Sequence, residues 1–239
     1  MSESPVIVWF RRDLRLDDNA ALAAAREYNG PLLPLFIWSP QEEAPWAPGA
    51  ASRWWLHQSL AAFDAALRKK NSRLIFRAGR SLHVLRAVIA ETGAGAVVWN
   101  RCYEPALLAR DGEIAQALHE DGLEVRQFDG ALLHTPGDIL TKQGDPYKVF
   151  TPFYKAATAR LEVAPALSPP RRLTAPKSWP DSAALDSLGL EPKVDWAGGL
   201  REAWVPGEKG AQHHLERFLE KNLASYPEDR DRPAQDGTS

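Results

Sequence analysis

The sequence predicts an α/β protein built on a five-stranded parallel sheet with helices on both faces. Short apolar runs alternate with longer helical patterns through the first 130 residues, an order typical of parallel strands joined by crossover helices. After Gly130 the alternation ends and prolines become frequent. We therefore expect three parts: an α/β domain over residues 1–130, a connecting helix and proline-rich linker over 131–205, and a short helical C-terminal segment over 206–239.

Each of the five strands is predicted from a short run of mostly apolar residues. The first run, VIVWF, is apolar at every position, as in a strand that is buried on both faces. The second lies between Pro31 and Pro40. The predicted strands cover residues 6–10, 32–38, 73–77, 96–99 and 123–128. Because parallel strands are joined by right-handed crossovers, we expect one doubly wound, Rossmann-like sheet.

The segments between the strands predict helices. Asn19 is a favourable N-cap for an alanine-rich helix that runs to about residue 28. Over residues 50–70 the apolar side chains recur on one helical face, at Leu56, Leu60, Phe63 and Leu67. Further helices are predicted over residues 82–89 and 105–119. Residues 41–49 contain two prolines and a glycine, and are predicted to form a loop.

Beyond Gly130 the sequence predicts less regular structure. Thr151 is expected to cap a helix over residues 152–161, with a proline in its first turn. Residues 164–199 hold six prolines and little periodicity, so we predict a long linker that wraps the surface or is partly mobile. A last helix is predicted over residues 207–224, with apolar side chains on one side at Leu215, Phe218, Leu219 and Leu223.

Composition argues against several classes of protein. The formal net charge of −2 gives no electrostatic footprint for nucleic acid over the whole chain. The single cysteine, Cys102, excludes an intramolecular disulfide and fits a reducing cytoplasm. There is no secretory signal pattern at the N-terminus, and no apolar stretch approaches the roughly 20 residues that span a bilayer. We therefore expect a cytoplasmic protein with no membrane partner.

The common motifs of nucleotide, hydrolase and metal sites are absent. The first strand is followed by Arg11-Arg12-Asp13-Leu14-Arg15 and not by GxGxxG, and neither a P-loop nor GxSxG occurs. His213 and His214 are adjacent and therefore point to different helical faces, so no metal site is expected. A nucleotide-using α/β enzyme, which needs a phosphate-binding loop after the first strand, is consequently the weakest interpretation.

Ligands of open α/β sheets bind at the carboxyl ends of the strands. Here those ends lead into residues 11–15, 38–49 and 100–105, which supply arginines, an aromatic group and Glu104. These residue types are better suited to holding a planar or anionic ligand than to forming a catalytic nucleophile. The alternative is structural: the charged residues over 11–18 form a salt-bridged turn, and Glu104 complements a helix dipole.

Four sequence blocks, in order along the chain, resemble the photolyase/cryptochrome family. They are VWFRRDLRLDDN at residues 8–19, WNRCYEP at 99–105, YKVFTPF at 147–153, and YPEDRD leading to GTS at 226–239. Together they extend over the whole chain. The chain is therefore similar to the N-terminal, antenna half of this family, truncated where the FAD-binding domain begins.

The resemblance implies a light-driven activity. In this family the α/β domain holds an antenna chromophore, a folate or a deazaflavin, which passes excitation to FAD in a helical C-terminal domain. The excited, reduced FAD donates an electron to a pyrimidine dimer flipped out of DNA. The residues for that chemistry would lie beyond Ser239, so the resemblance implies no catalytic residue within this chain.

The resemblance also implies cofactor-binding residues. FAD contacts fall on Tyr226, Thr238 and Ser239. An antenna site is expected to be bounded by Phe36, Trp38, Arg53 and Glu104. The identity of the antenna stays open, because Ala106-Leu107 replaces an Asn-Glu pair of folate binders, Trp46 replaces a histidine, and Cys102 replaces an acidic residue favoured by deazaflavin binders.

Two main interpretations follow. In the first, the chain is part of a DNA-repair flavoprotein, a deoxyribodipyrimidine photo-lyase that splits cyclobutane pyrimidine dimers, and is inactive without its missing FAD domain. A cryptochrome photoreceptor shares these motifs and is an alternative parent. In the second, the chain is a free-standing chromophore- or nucleotide-binding module.

Overall fold

The computed structural model describes residues 4–232 and 234, and its first half is organised around one parallel sheet. The strands are β1 (Val6–Phe10), β2 (Leu32–Trp38), β3 (Ile75–Ala78), β4 (Ala96–Asn100) and β5 (Glu124–Phe128). Their order across the sheet is β3-β2-β1-β4-β5, and all neighbours are parallel. The predicted fold class is confirmed. The strand order reverses between β1 and β4, which is where ligands of such sheets bind.

Strand β1 is the centre of the sheet, and all five of its residues are buried. Val6 pairs with Leu32 of β2 on one side and with Ala96 of β4 on the other. A strand that is covered on both faces has no need of polar residues, which explains the continuous VIVWF run.

Four helices cover the sheet: α1 (Ala20–Ala25), α2 (Ala50–Arg68), α3 (Ser81–Thr92) and α4 (Pro105–Glu120). Asn19 caps α1 as predicted, since its side chain accepts a hydrogen bond from the Leu22 N–H at 3.0 Å. Helix α1 ends at Ala25, three residues before the predicted end. Helix α3 ends on Gly93, whose φ of 65° is left-handed and suits glycine.

The side chains of alternate strand residues form two separate cores. On one face Val6, Val8 and Phe10 pack with α1 and α2, including Leu60 and Phe63. On the other face Ile7 and Trp9 pack with α3 and α4. This two-sided packing is the doubly wound arrangement that the alternation of strands and helices predicts.

The later part of the chain is irregular, with four short helices: α5 (Phe150–Ala159), α6 (Gly198–Ala203), α7 (Glu208–Arg217) and α8 (Tyr226–Asp229). The prediction that Thr151 caps α5 is wrong: Thr151 lies within the helix, and extended Val149 precedes it without a side-chain cap. The last predicted helix begins near its expected start but changes into a π-helical turn at Phe218–Asn222.

The proline-rich linker lies against the α/β part and contributes to its core. Leu173, Leu188 and Leu190 are buried in the same core as α1 and α2. Its backbone also bonds to the sheet region: Thr174 accepts from the Leu32 N–H at 2.9 Å, and the Ala183 N–H donates to Phe76 at 2.9 Å. The linker is therefore a packed strap, which agrees with the prediction that it wraps the surface.

In the part of the chain that the structure describes, we find no helix with the length and apolar character needed to cross a membrane.

Truncation of Leu173 tests whether the linker stabilises the fold. Leu173 is 2% exposed, so Leu173→Ala should lower the free energy of unfolding by roughly 2–5 kcal/mol through lost burial and a cavity. Leu167, 42% exposed in the same linker, is the matched control, and Leu167→Ala should cost less than about 1 kcal/mol. Urea denaturation measures both. Equal effects would show that the linker does not belong to the core.

Candidate ligand-binding cavity

A cavity of about 790 Å³ opens at the carboxyl ends of β1 and β2. Three aromatic side chains form much of its apolar wall: Phe36 and Trp38 from β2, and Trp55 from α2. Helix α2 adds Ser52, Leu56 and Ser59. The volume falls within the roughly 300–1,000 Å³ of small-molecule sites. The site therefore combines the size and the aromatic lining that a planar ligand requires.

Charged residues of the loop after β1 line the opposite side of the cavity. They are Arg11, Arg12, Asp13, Arg15, Asp17 and Asp18. The guanidinium of Arg15 bonds only to backbone carbonyls among its described contacts, those of Asp17, Asp18 and Gly130, at 3.1, 2.9 and 2.7 Å. Its positive charge is thus not neutralised by a bonded carboxylate, which leaves it able to attract an anionic group.

Arg11 differs from its neighbours because it is buried and stabilises the fold. It forms an ion pair with Asp111 of α4 at 2.8 Å and donates a hydrogen bond to the carbonyl of Asn100. Its guanidinium also lies over the ring of Trp9, 4.3 Å from the centroid. Arg11 therefore ties the end of β1 to β4 and α4, as expected of a salt-bridged turn.

Asn100, the last residue of β4, organises the switch point. Its Nδ2 donates to Asp13 at 2.6 Å and to Asn19 at 2.9 Å, and its Oδ1 accepts from the Ala21 N–H at 3.0 Å. A Cβ at Gly130 would lie only 2.8 Å from Asn100 Cγ, so this packing requires glycine there. The sequence analysis missed this role, although an asparagine at the end of a buried strand is a signal that could have found it.

Glu104 reaches the cavity only through another residue. It is 47% exposed and forms an ion pair with Arg12, which also bonds to Glu43 at 3.1 Å. Arg12 lines the cavity, whereas Glu104 is not among the described residues that do so. The carboxylate therefore orients a cavity arginine and does not face the cavity itself.

The structure brings together two of the four residues predicted to bound an antenna site. Phe36 and Trp38 line the cavity side by side at the end of β2. Arg53 is exposed on α2 and is not among the described lining residues. Trp46, which stands where folate binders of the resembled family have a histidine, also lines the cavity and is 85% exposed.

Helix α7 forms a further side of the cavity that the sequence analysis did not foresee. Its contribution is Glu208, Ala211, Gln212 and Leu215, preceded by Gly207. The predicted apolar stripe of this helix includes Leu215, which was a sequence signal that the helix packs against something. No sequence pattern indicated that it lies against the cavity.

The residues expected to contact FAD lie at the other end of the chain. Tyr226 begins α8, where its ring meets Phe218 edge-on at 5.7 Å and the Arg230 guanidinium lies 5.8 Å from it. Thr238 and Ser239 lie outside the described residues. Over residues 4–232 and 234 we also find no group of three His, Cys, Asp or Glu side chains arranged to hold a metal ion.

A hydrogen-bonded cluster around Asp129 lies beyond the end of β5. Asp129 accepts from Tyr103 at 2.5 Å, from Thr135 at 2.7 Å and from Arg101 at 3.0 Å. Burial alone would raise the pKa of Asp129, but these three donors outweigh it and lower the pKa below its ordinary value. Burial, followed by the hydrogen bond to Asp129, raises the pKa of Tyr103. Burial likewise raises the pKa of the Cys102 thiol.

The family model described as DNA photolyase matches residues 6–174, which include the whole sheet and α5. The chain belongs to the DNA photolyase family. The prediction from the four sequence blocks is thereby confirmed.

Individual photolyase-family proteins match over the full chain. This chain is 47% identical over 240 residues to a deoxyribodipyrimidine photo-lyase of Agrobacterium fabrum. It is 36% identical over 245 residues to cryptochrome-2 of Arabidopsis thaliana. These matches cover 100% and 99% of this chain, but 50% and 40% of the relatives. The chain thus spans about half the length of the curated relatives it matches.

A solved structure supports the same assignment. The crystal structure of a bacterial class III photolyase from Agrobacterium tumefaciens superposes with a TM-score of 0.94 at 46% identity, and the match covers 100% of this chain and 49% of that one. The likeness extends over the sheet, the linker and the terminal helices. The described part of the chain therefore has the architecture of a photolyase-family segment.

The Asp129 cluster predicts an acid-dependent loss of stability. A carboxylate whose pKa is lower in the folded state stabilises the fold above its unfolded pKa of about 3.9, and this contribution is lost as the pH falls through the folded value. Asp129→Asn should therefore lower stability near neutral pH, with the difference from the unmodified protein shrinking as the pH falls below about 4. Urea denaturation across this range measures it.

The exposed Asp138, in the same loop region, provides the control. Asp138→Asn should leave the stability profile unchanged, because no charged partner holds its carboxylate among the described contacts. A difference between Asp129→Asn and the unmodified protein that stays constant from neutral to acidic pH would contradict the assignment.

Proposed function

We propose that the chain is the N-terminal, chromophore-binding half of a deoxyribodipyrimidine photo-lyase. The complete protein would use light to split cyclobutane pyrimidine dimers in DNA, and the chain alone would not repair DNA. The observation that carries the proposal is the match to the Agrobacterium fabrum photo-lyase along the whole chain at 47% identity. The match begins and ends with this chain's own ends and does not stop at a shared nucleotide-binding core.

The cavity at the ends of β1 and β2 is the proposed antenna site. A folate or deazaflavin bound there would absorb light. Phe36 and Trp38 offer aromatic faces for a fused ring system, and Arg15, which bonds to backbone carbonyls and not to a carboxylate among its described contacts, offers positive charge for an anionic tail. Glu104 supports Arg12 through their ion pair. Arg53, at the outside of α2, would act only on a part of the ligand that extends out of the cavity.

The remaining roles follow from the same proposal. The FAD site begins within this chain at Tyr226, Thr238 and Ser239 and is completed by a C-terminal FAD domain. Residues 1–130 form the antenna domain, 131–205 the connection, and 206–239 the start of the FAD-binding domain. Damaged DNA is then a partner of the complete protein, which works in the cytoplasm without a metal ion.

Two observations favour alternative functions. Similarity to Arabidopsis cryptochrome-2 at 36% identity favours a cryptochrome photoreceptor as the parent. The cavity, in turn, is lined by residues of the sheet, α2 and α7, all within this chain. A site formed within the chain favours a free-standing chromophore-binding module, in which ligand binding would not require the second half.

Trp38→Ala tests the antenna site. If Trp38 stacks on the chromophore, its loss should weaken binding about tenfold, measured by fluorescence titration with a reduced folate and, separately, a 5-deazaflavin. Trp196→Ala is the control, because Trp196 is partly exposed and is not among the described residues that line the cavity. Equal affinities of the two variants would contradict a stacking role for Trp38.

A chimera tests the repair activity. The full chain is joined to the half of the Agrobacterium fabrum photo-lyase that it does not match, and the product is loaded with FAD. We expect light-dependent removal of cyclobutane dimers from DNA by the chimera, and none by the chain alone or by the chimera in the dark. A chimera that binds FAD and absorbs light but leaves dimers intact would contradict the assignment of this chain as the N-terminal half of a photo-lyase.

A further inference from the structure

Helix α7 forms one side of the cavity although it is poorly anchored in the fold. Gly210 is its only buried residue among those described. An exposed helix of ten residues gains little stability from its own backbone hydrogen bonds. Its place over the cavity must therefore depend on a few specific contacts with the α/β part.

Glu208, the first residue of α7, makes two hydrogen bonds to the loop after β1. Its Oε1 accepts the Asp17 N–H at 2.7 Å, and its Oε2 accepts the Leu16 N–H at 3.0 Å. Hydrogen bonds to an ionised carboxylate are stronger than those between neutral groups. Both oxygens are thus used to join α7 to the loop that follows β1.

Gly207, the residue before Glu208, lies close to α2. Gly207 has a φ of 103°, which favours glycine, and a Cβ at this position would lie 2.8 Å from the Ala62 Cβ of α2. The start of α7 is therefore held between α2 and the β1 loop. Helix α2 and the β1 loop both supply residues that line the cavity.

We propose that Glu208 is a positioning residue that holds α7 closed over the cavity and so sets the rate at which a bound chromophore leaves. This inference rests on the proposed antenna site for its ligand. Glu208 acts through the helix, since both of its carboxylate oxygens are engaged by backbone N–H groups. Loss of the carboxylate frees α7 from the β1 loop and opens the cavity on that side.

The first experiment uses the protein without ligand. Hydrogen exchange at single amides, followed by NMR, compares Glu208→Ala with Glu216→Ala, which removes the same charge from an exposed position of the same helix. In Glu208→Ala, the Leu16 and Asp17 amides and those of α7 should exchange about tenfold faster, equivalent to about 1.4 kcal/mol, while β1 and β4 amides stay protected. Unchanged exchange in Glu208→Ala would overturn the proposal.

Two further variants keep the test independent of a misfolded protein. Glu208→Gln retains one carbonyl acceptor and should fall between the unmodified protein and Glu208→Ala. Gly207→Ala displaces α7 from Ala62 and leaves the carboxylate in place, so it should also speed exchange in α7. A drop in global stability with no selective change in α7 would assign Glu208 a structural role only and overturn the proposal.

The second experiment measures dissociation of a reduced folate or a 5-deazaflavin by stopped-flow fluorescence. Glu208→Ala should release the chromophore about tenfold faster, and Glu216→Ala should release it at the unmodified rate. Equal release by both variants would overturn the role in retention. If neither probe binds the unmodified protein, the proposed antenna function fails, and the exchange experiment still decides whether Glu208 holds α7.

Discussion

The buried ion pair between Arg11 and Asp111 is the interaction on which the cavity end of the molecule depends. It joins the loop after β1 to α4 across the point where the strand order reverses. Removing two charges from water is costly unless further partners satisfy them. The Arg11 guanidinium donates a hydrogen bond to the Asn100 carbonyl and lies over the Trp9 ring. Asp111 forms a second ion pair, with Arg110 at 2.7 Å. These contacts hold the loop that leaves β1, and further charged residues of that loop line the cavity.

The sheet was predictable because its information is local. Strands β1, β2 and β4 each carry an apolar run, and Asn19 caps the helix that follows it. The role of the linker was harder to predict, since the burial of Leu173 and Leu190 depends on a surface formed by distant helices and leaves no periodic pattern. Thr151 shows the limit of rules for helix ends: threonine is a good cap, but the chain enters the helix one residue before it.

The candidate site shows the same division between local and distant information. Phe36 and Trp38, which the family resemblance placed at an antenna site, line the cavity because they are the last inward-facing residues of a strand that ends there. Arg53 failed to reach the cavity for a geometric reason. Ser52, Leu56 and Ser59 recur at helical spacing on the face of α2 that lines the cavity, and with 3.6 residues per turn a neighbour of Ser52 is rotated by about 100°. Helix rotation of this kind is set by packing, which sequence alone does not provide. The placement of α7 depends on contacts across more than 190 positions of sequence, as in the bond from Leu16 to Glu208.

The participation of α7 has a practical consequence for dissecting proteins of this kind. The recognisable family segment ends at residue 174, and a cloning boundary chosen there would look natural. Such a piece would keep every strand and every helix that touches the sheet. It would lose Leu188 and Leu190, which are buried in the later linker, and the residues of α7 that line the cavity. The smallest portion that keeps the described walls of the cavity is thus longer than the segment that the family model matches, and it includes α7.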